Sequence, residues 1–295
     1  MTTTTSSSGT ALRVTRFSIK WRQLIHKPFM MVYRLTLKHK VKLLRNEYKP
    51  NGKPTIFAMT HSFKDDIACT CYCLPRSAYM VQSNKEGIRK TFYLLAGLLL
   101  NGVIWIDRSD KKNRATVLEQ MKDVCKKGGD VLIAPEGAWN FTPNLPVMKL
   151  SWGLLDAAAS SGANIVPIAS DIVNGNYCVI IGSFFEHENY RSKAEAISAL
   201  RDIMATMVWE LFSMKPTIKR AEISDEYWLA HMRNELSQAP FLNYVEEEKG
   251  VYRPKGEISL GELLAEMHRI DYKSMAVDYE VYQRVEQLIY NWTRR

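Results

Sequence analysis

The chemistry in this chain begins at His61-Ser62-Phe63-Lys64-Asp65-Asp66, where a histidine is followed five residues later by an aspartate. The histidine comes directly after the apolar run at residues 55–60 (TIFAMT), which reads as a buried strand. Asp66 then falls on the first turn of the next helix, from where its carboxylate can bend back to one imidazole nitrogen. A carboxylate in that position fixes the ring tautomer and stabilises the imidazolium formed on proton uptake. An imidazole so held can take a proton from an alcohol near neutral pH. By itself the spacing is weak evidence. In a chain with six histidines, a helix-capping or surface histidine is the simpler account of the spacing taken alone.

Three more segments end apolar runs with residues suited to binding. Gly102-Val103-Ile104-Trp105-Ile106-Asp107-Arg108 closes one run with a charged pair, Pro135-Glu136-Gly137 closes another, and Val166-Pro167-Ile168 marks a third. In open α/β sheets ligands bind beyond the carboxyl ends of the strands, which would bring these segments toward His61.

The elements that must position them alternate along the chain. Strands are expected at residues 55–60, 78–82, 103–106, 131–134, 165–169 and 177–183. Helices are expected at 65–74, 87–100, 112–127, 152–161 and 193–212. This alternation implies an α/β fold, a mostly parallel sheet flanked by helices. We expect a disordered polar tail at residues 1–10, basic amphipathic helices at 11–50, the α/β domain at 51–215 and an α-helical C-terminal extension at 216–295.

The net charge of +9 is concentrated at one end. Residues 1–50 hold 11 Lys or Arg against the single acid Glu47, whereas residues 51–215 hold 18 bases and 16 acids. In the N-terminal stretch the bases alternate with Phe17, Trp21, Leu24, Phe29, Met31 and Leu35, the composition of a helix seated on an anionic bilayer surface. Pro28 is expected to divide this stretch into a basic helical hairpin. The rest of the chain carries no basic stripe, which disfavours a nucleic-acid partner. The most apolar segment, residues 92–106, is too short and too broken by glycine and asparagine to span a bilayer. Five cysteines without disulfide-like spacing suggest a reducing compartment.

Together the four blocks, covering about residues 50–190, resemble the glycerolphosphate and lysophospholipid acyltransferase family. That family has a histidine with an aspartate five residues on, a Gly-x-x-Phe-Ile-Asp-Arg-like block, a Pro-Glu-Gly-Thr-Arg-like block and a Val-Pro-x block, in this order. The resemblance implies that His61 and Asp66 are the catalytic pair, with His61 as general base on an acceptor hydroxyl. It implies that Arg108, Glu136 and Gly137 bind the acceptor, with Lys149 as the nearest base to a further cationic position. It also implies acyl-CoA or acyl-carrier protein as donor substrate, a lysolipid acceptor, and no cofactor or metal. The site would sit at the cytoplasmic face of a membrane. The chain departs from the pattern at Ala138-Trp139, where the family has Thr-Arg, at Trp105, where it usually has phenylalanine, and at Ser151-Trp152, where it tends to place bases. An indole has one weak donor in place of a guanidinium's fork. Acylation of an amine or of a non-phosphate lipid therefore stays open, as does a membrane-binding carrier or scaffold without turnover. Cys69, Cys71 and Cys73 lack the second ligand pair of a zinc site, and no nucleophile elbow, P-loop or dinucleotide fingerprint occurs.

Overall fold

The structure, a computed structural model, describes residues 14–63, 65–83, 100–107, 110–137, 140, 145–216, 222–224, 226–227 and 230. The strands are β1 (Lys40–Asn46), β2 (Thr55–Met59), β3 (Ala78–Ser83), β4 (Val103–Ile106), β5 (Asp130–Ile133), β6 (Asn164–Val173) and β7 (Asn176–Ile181). The helices are α1 (Arg16–Tyr33), α2 (Asp66–Cys73), α3 (Lys111–Lys126), α4 (Gly153–Ser161) and α5 (Lys193–Ser213). The strands form one sheet in the order β1-β7-β6-β2-β5-β3-β4, and every pairing is parallel except β6 with β7.

The antiparallel step has a local cause. Asn174 and Gly175 link Val173 to its partner Asn176, and both adopt left-handed backbone, with φ of 49° and 70°. An Asn-Gly pair in that conformation is the two-residue turn that matches the twist of a hairpin. β6 is long enough to serve two neighbours. Its first half pairs with β2, and its second half continues past the end of β2 against β7. Pro167 lies where the two ladders meet. Its carbonyl accepts from Gly182 N–H at 2.9 Å just after β7 ends.

β2 is the buried centre of the sheet, and its side chains alternate between two cores. Ile56 and Ala58 pack with residues of α3, α4 and α5 on one face, whereas Phe57 and Met59 pack with α2 on the other. Each large side chain among them contributes about 2–3 kcal/mol through burial. Polar residues hold the ends. Thr15 and Ser18 form a reciprocal capping box at the start of α1, Asp110 accepts from Lys112 N–H to cap α3, and Ser192 accepts from Glu195 N–H to cap α5.

The N-terminal hairpin expected from Pro28 is not formed. Residues 16–33 make a single helix that runs through the proline. Pro28 and Leu24, whose carbonyl loses its partner, are both exposed, so that carbonyl keeps access to solvent and the break costs less than it would inside a core. His26 anchors this helix to the body, with Nδ1 2.9 Å from Asn101 Oδ1 and Nε2 3.3 Å from the Leu74 carbonyl. The second expected helix is instead strand β1, which begins at Lys40, ahead of the boundary expected at residue 51. Its sequence (KVKLLRN) alternates base and apolar residue over its first positions and forms a sheet edge, where lysines discourage pairing with other chains. The tail at 1–10, the helix expected at 87–100 (apart from Leu100) and nearly all of the extension at 216–295 lie outside the described residues.

At the amino-terminal end of the sheet, fully buried Asp130 accepts from Thr55 N–H at 2.8 Å and Arg76 Nη2 at 2.7 Å. Burial nevertheless raises its pKa to about 6, with Arg76 opposing the shift. A raised carboxyl pKa gives stability that is present below the unfolded value and lost as pH rises through the folded one. Arg76→Leu removes the opposing charge and raises that pKa further. We therefore expect urea melts of Arg76→Leu to show a loss of about 3 kcal/mol at pH 8 and a smaller loss at pH 5. Equal losses at both pH values would refute this account of Asp130.

Candidate active site

His61 leaves the carboxyl end of β2, and Asp66 opens α2. The connecting turn closes on the Asp66 carboxylate, which is completely buried. Its Oδ2 accepts from three groups: His61 Nδ1 at 2.8 Å, Ser62 N–H at 2.9 Å and Phe63 N–H at 3.3 Å. Its Oδ1 accepts from Ile67 N–H at 2.7 Å. A buried carboxylate tolerates desolvation only when donors surround it, and here the turn supplies them. With Nδ1 committed to Asp66, the ring tautomer places the proton-exchanging position on Nε2.

The backbone of His61 is held from the neighbouring strand. Beyond β5, Pro135 and Glu136 form a turn closed by Gly137 N–H donating to Ala134 C=O at 3.0 Å. Gly137 has a φ of 76°, which a side chain would strain. That turn aims the Glu136 carboxyl inward. Oε1 accepts from His61 N–H at 3.2 Å, and Oε2 accepts from Met148 N–H at 2.8 Å. Asn140 N–H donates to His61 C=O at 2.8 Å, so one loop grips both peptide groups of the histidine. From the other side, Ser62 Oγ donates to the Ser170 carbonyl at 3.1 Å, on the half of β6 that extends past β2.

Of the residues expected from sequence, His61, Asp66, Glu136 and Gly137 come together at the ends of adjacent strands. Both oxygens of Glu136 are engaged by backbone donors. Lys149 is exposed, on a segment tied to the Pro135 turn by Met148 N–H and by Ser151 N–H donating to Pro135 C=O at 2.8 Å. Arg108 lies outside the described residues, as do Ala138 and Trp139. The block that precedes Arg108 sits on β4, three strands from β2, or about 14 Å along the sheet. Gly102, which opens that block, is required structurally. It has a φ of 98°, and a Cβ there would meet the Tyr79 ring at 2.7 Å.

Sequence reasoning missed Asn140, Ser170 and Tyr177, which brace the turn. The first two act through backbone groups, which side-chain identity does not reveal. Tyr177 sits in an apolar strand with nothing local to single it out. Among the described residues no cluster of His, Cys, Asp or Glu is arranged to hold a metal. The three cysteines of α2 are buried thiols whose pKa values burial pushes up.

Residues 40–171 match the family model Acyltransferase, a range that begins at β1 and ends on β6 just past the site. The matched segment covers less than half of the chain. Over 129 residues the chain is 27% identical to a 1-acyl-sn-glycerol-3-phosphate acyltransferase of Chlamydomonas reinhardtii. The match takes in 42% of this chain but only 36% of that relative's length. The crystal structure of the 1-acyl-sn-glycerophosphate (LPA) acyltransferase PlsC from Thermotoga maritima superposes with a TM-score of 0.55. It is 15% identical, with 70% of this chain and 86% of that chain covered, so the likeness is one of fold.

Within the matched segment, Glu136 gives a test of the brace. Burial raises its pKa to about 7, against the opposing effect of its two backbone donors. Asp66 adds to the rise, and Arg201 opposes it. A folded-state pKa above the unfolded value makes the ionised form costly, so the stability contributed below the unfolded pKa of about 4.5 fades as pH climbs through 7. The amide introduced by Glu136→Gln cannot ionise. In urea melts, the stability of that variant relative to the wild type should therefore improve steadily from about pH 5 to about pH 8. A constant difference across that range would show that Glu136 does not titrate there.

Proposed function

We propose that this protein transfers a fatty acyl group from an acyl thioester to the hydroxyl of a lysophospholipid-type acceptor at a membrane surface. The observation that supports the reading best is the 2.8 Å bond from His61 Nδ1 to a fully buried Asp66 carboxylate at the end of the central strand. In this reaction His61 Nε2 takes the acceptor's hydroxyl proton as the oxygen attacks the thioester carbonyl carbon. The carbon–sulfur bond then breaks, and the departing thiolate receives the proton from the imidazolium. Asp66 keeps the ring oriented and stabilises its charged form through the cycle. The donor is acyl-CoA or acyl-carrier protein, and the family match together with the names of its two relatives supports acyl transfer to a glycerolipid. Lys149, exposed beside the Glu136 turn, supplies a cation for a phosphate on the acceptor. Arg108 is proposed as a second, by its place in the matching block. The indole of Trp139, where the family has arginine, favours a second acceptor class, lipids whose head group lacks a phosphate at that position.

Helix α1 supplies the membrane contact. Phe17, Trp21, Leu24 and Met31 on α1, and Leu35 in the 3-10 turn just after it, are all exposed, from 52% at Trp21 to 85% at Leu35. Exposed Arg16, Lys20, Lys27 and Arg34 flank them. An apolar stripe rimmed with bases suits the cytoplasmic face of a bilayer, where anionic lipids attract the bases and the aromatic rings enter the interface. No helix among the described residues is long and apolar enough to cross a membrane.

The deciding assay incubates the purified protein with labelled acyl-CoA or acyl-carrier protein and a panel of lysophospholipids, glycerol-3-phosphate and aminolipids. Transfer to a hydroxyl acceptor, reduced about 10²–10⁴-fold in His61→Ala, is expected. Transfer that survives His61→Ala, or none to any acceptor, refutes the proposal. Lys149→Ala should raise KM about fivefold for phosphate-bearing acceptors and leave others unchanged. For the membrane contact, Phe17→Glu with Leu24→Glu should reduce co-flotation with phosphatidylserine-containing vesicles by about tenfold. Undiminished flotation would remove α1 from the interface.

A further inference from the structure

We propose that Tyr177 is a positioning residue for His61 and Asp66, holding from β7 the outer side of the turn whose inner side closes on the Asp66 carboxylate; this rests on the acyl-transfer reading. Two residues of the turn reach it independently. Asp65 is the N-cap of α2, yet its carboxylate makes no capping bond and instead accepts from the Tyr177 hydroxyl at 2.6 Å. The Phe63 ring lies flat against the Tyr177 ring, with centroids 5.1 Å apart and planes 8° from parallel. On another side His39, from the linker between α1 and β1, meets the same ring edge-on at 4.9 Å.

Phe63 and Asp65 bracket the part of the turn that sets where Asp66 stands relative to His61. Phe63 also contributes one of the three donors to Asp66 Oδ2. A shift of Asp65 would move the first turn of α2, and Asp66 with it. A misplacement of a few tenths of an ångström is enough to weaken a 2.8 Å contact between imidazole and carboxylate. Tyr177 is only 3% exposed, and burial together with Asp65 pushes the phenol pKa up, so the hydroxyl remains a donor. Because the ring is enclosed by its neighbours, Tyr177→Phe preserves the packing and removes the hydrogen bond alone.

The test combines kinetics with a measurement that needs no substrate. In Tyr177→Phe we expect kcat about tenfold lower with KM within about twofold of wild type. The proton on His61 Nδ1, read by NMR, should exchange faster with water than in the wild type. Asp65→Ala should reproduce both changes, Asp65→Asn should keep kcat within about threefold because it retains an oxygen acceptor, and the double variant Tyr177→Phe/Asp65→Ala should be no worse than either single one. If Tyr177→Phe does not fold, Asp65→Ala carries the same comparison. Wild-type kcat and an unchanged His61 proton in either folded variant overturn the proposal. If the wild-type protein transfers no acyl group but the His61 proton still loses protection in the variants, the acyl-transfer reading fails and the positioning role stands.

Discussion

The Asp66 carboxylate is the point on which the site depends. It is removed from water entirely and is held by donors contributed almost wholly by its own turn. Desolvating a carboxylate costs several kcal/mol, and only a full set of hydrogen bonds offsets it. The His61 side chain is therefore both a part of the site and a part of what stabilises its partner. A rotation of the ring would leave Oδ2 short of a donor, so the energy that buries Asp66 also fixes the imidazole. Orientation here follows from folding and does not have to be supplied by a bound substrate.

The sheet order determines what can join this pair. β5 and β6 flank β2, so the Glu136 turn lies on one side of His61 and Ser170 on the other. β4 occupies the far edge. Groups beside β4 and groups beside β2 thus stand about three strand spacings apart. The second half of β6, made possible by the Asn174-Gly175 hairpin, extends one wall past the central strand.

Much of this is legible in the sequence because the α/β body obeys local rules. The apolar runs ending at His61 and Pro135 form β2 and β5, and α3 and α5 fall within a residue of their expected limits. The spacing from His61 to Asp66 points to the correct contact because strand-to-helix geometry leaves a five-residue turn little freedom. Three features run against the local pattern. Pro28 suggests a break, but its solvent-facing position lets α1 continue. β1 is hidden by its charge, since an edge strand alternates lysine with apolar residues much as a basic amphipathic helix does. The antiparallel β6–β7 pair is signalled by Asn174-Gly175, a turn cue outweighed by the parallel pattern around it. The braces on His61 are illegible for another reason, since they act through peptide groups that every residue possesses.

The groups around Glu136 call for a carboxyl at this position. The two groups facing it, His61 N–H and Met148 N–H, are both donors. An amide would satisfy one of them and turn its own NH₂ toward the other, leaving a donor opposed to a donor. A hydrocarbon would leave both unpaired, at about 1–3 kcal/mol each. Only a carboxyl group offers two acceptors at that separation, although desolvation and the nearby Asp66 charge lift its pKa to about 7. A carboxyl group at position 136 is thus accounted for by the two backbone donors that face it, one of them on His61 itself.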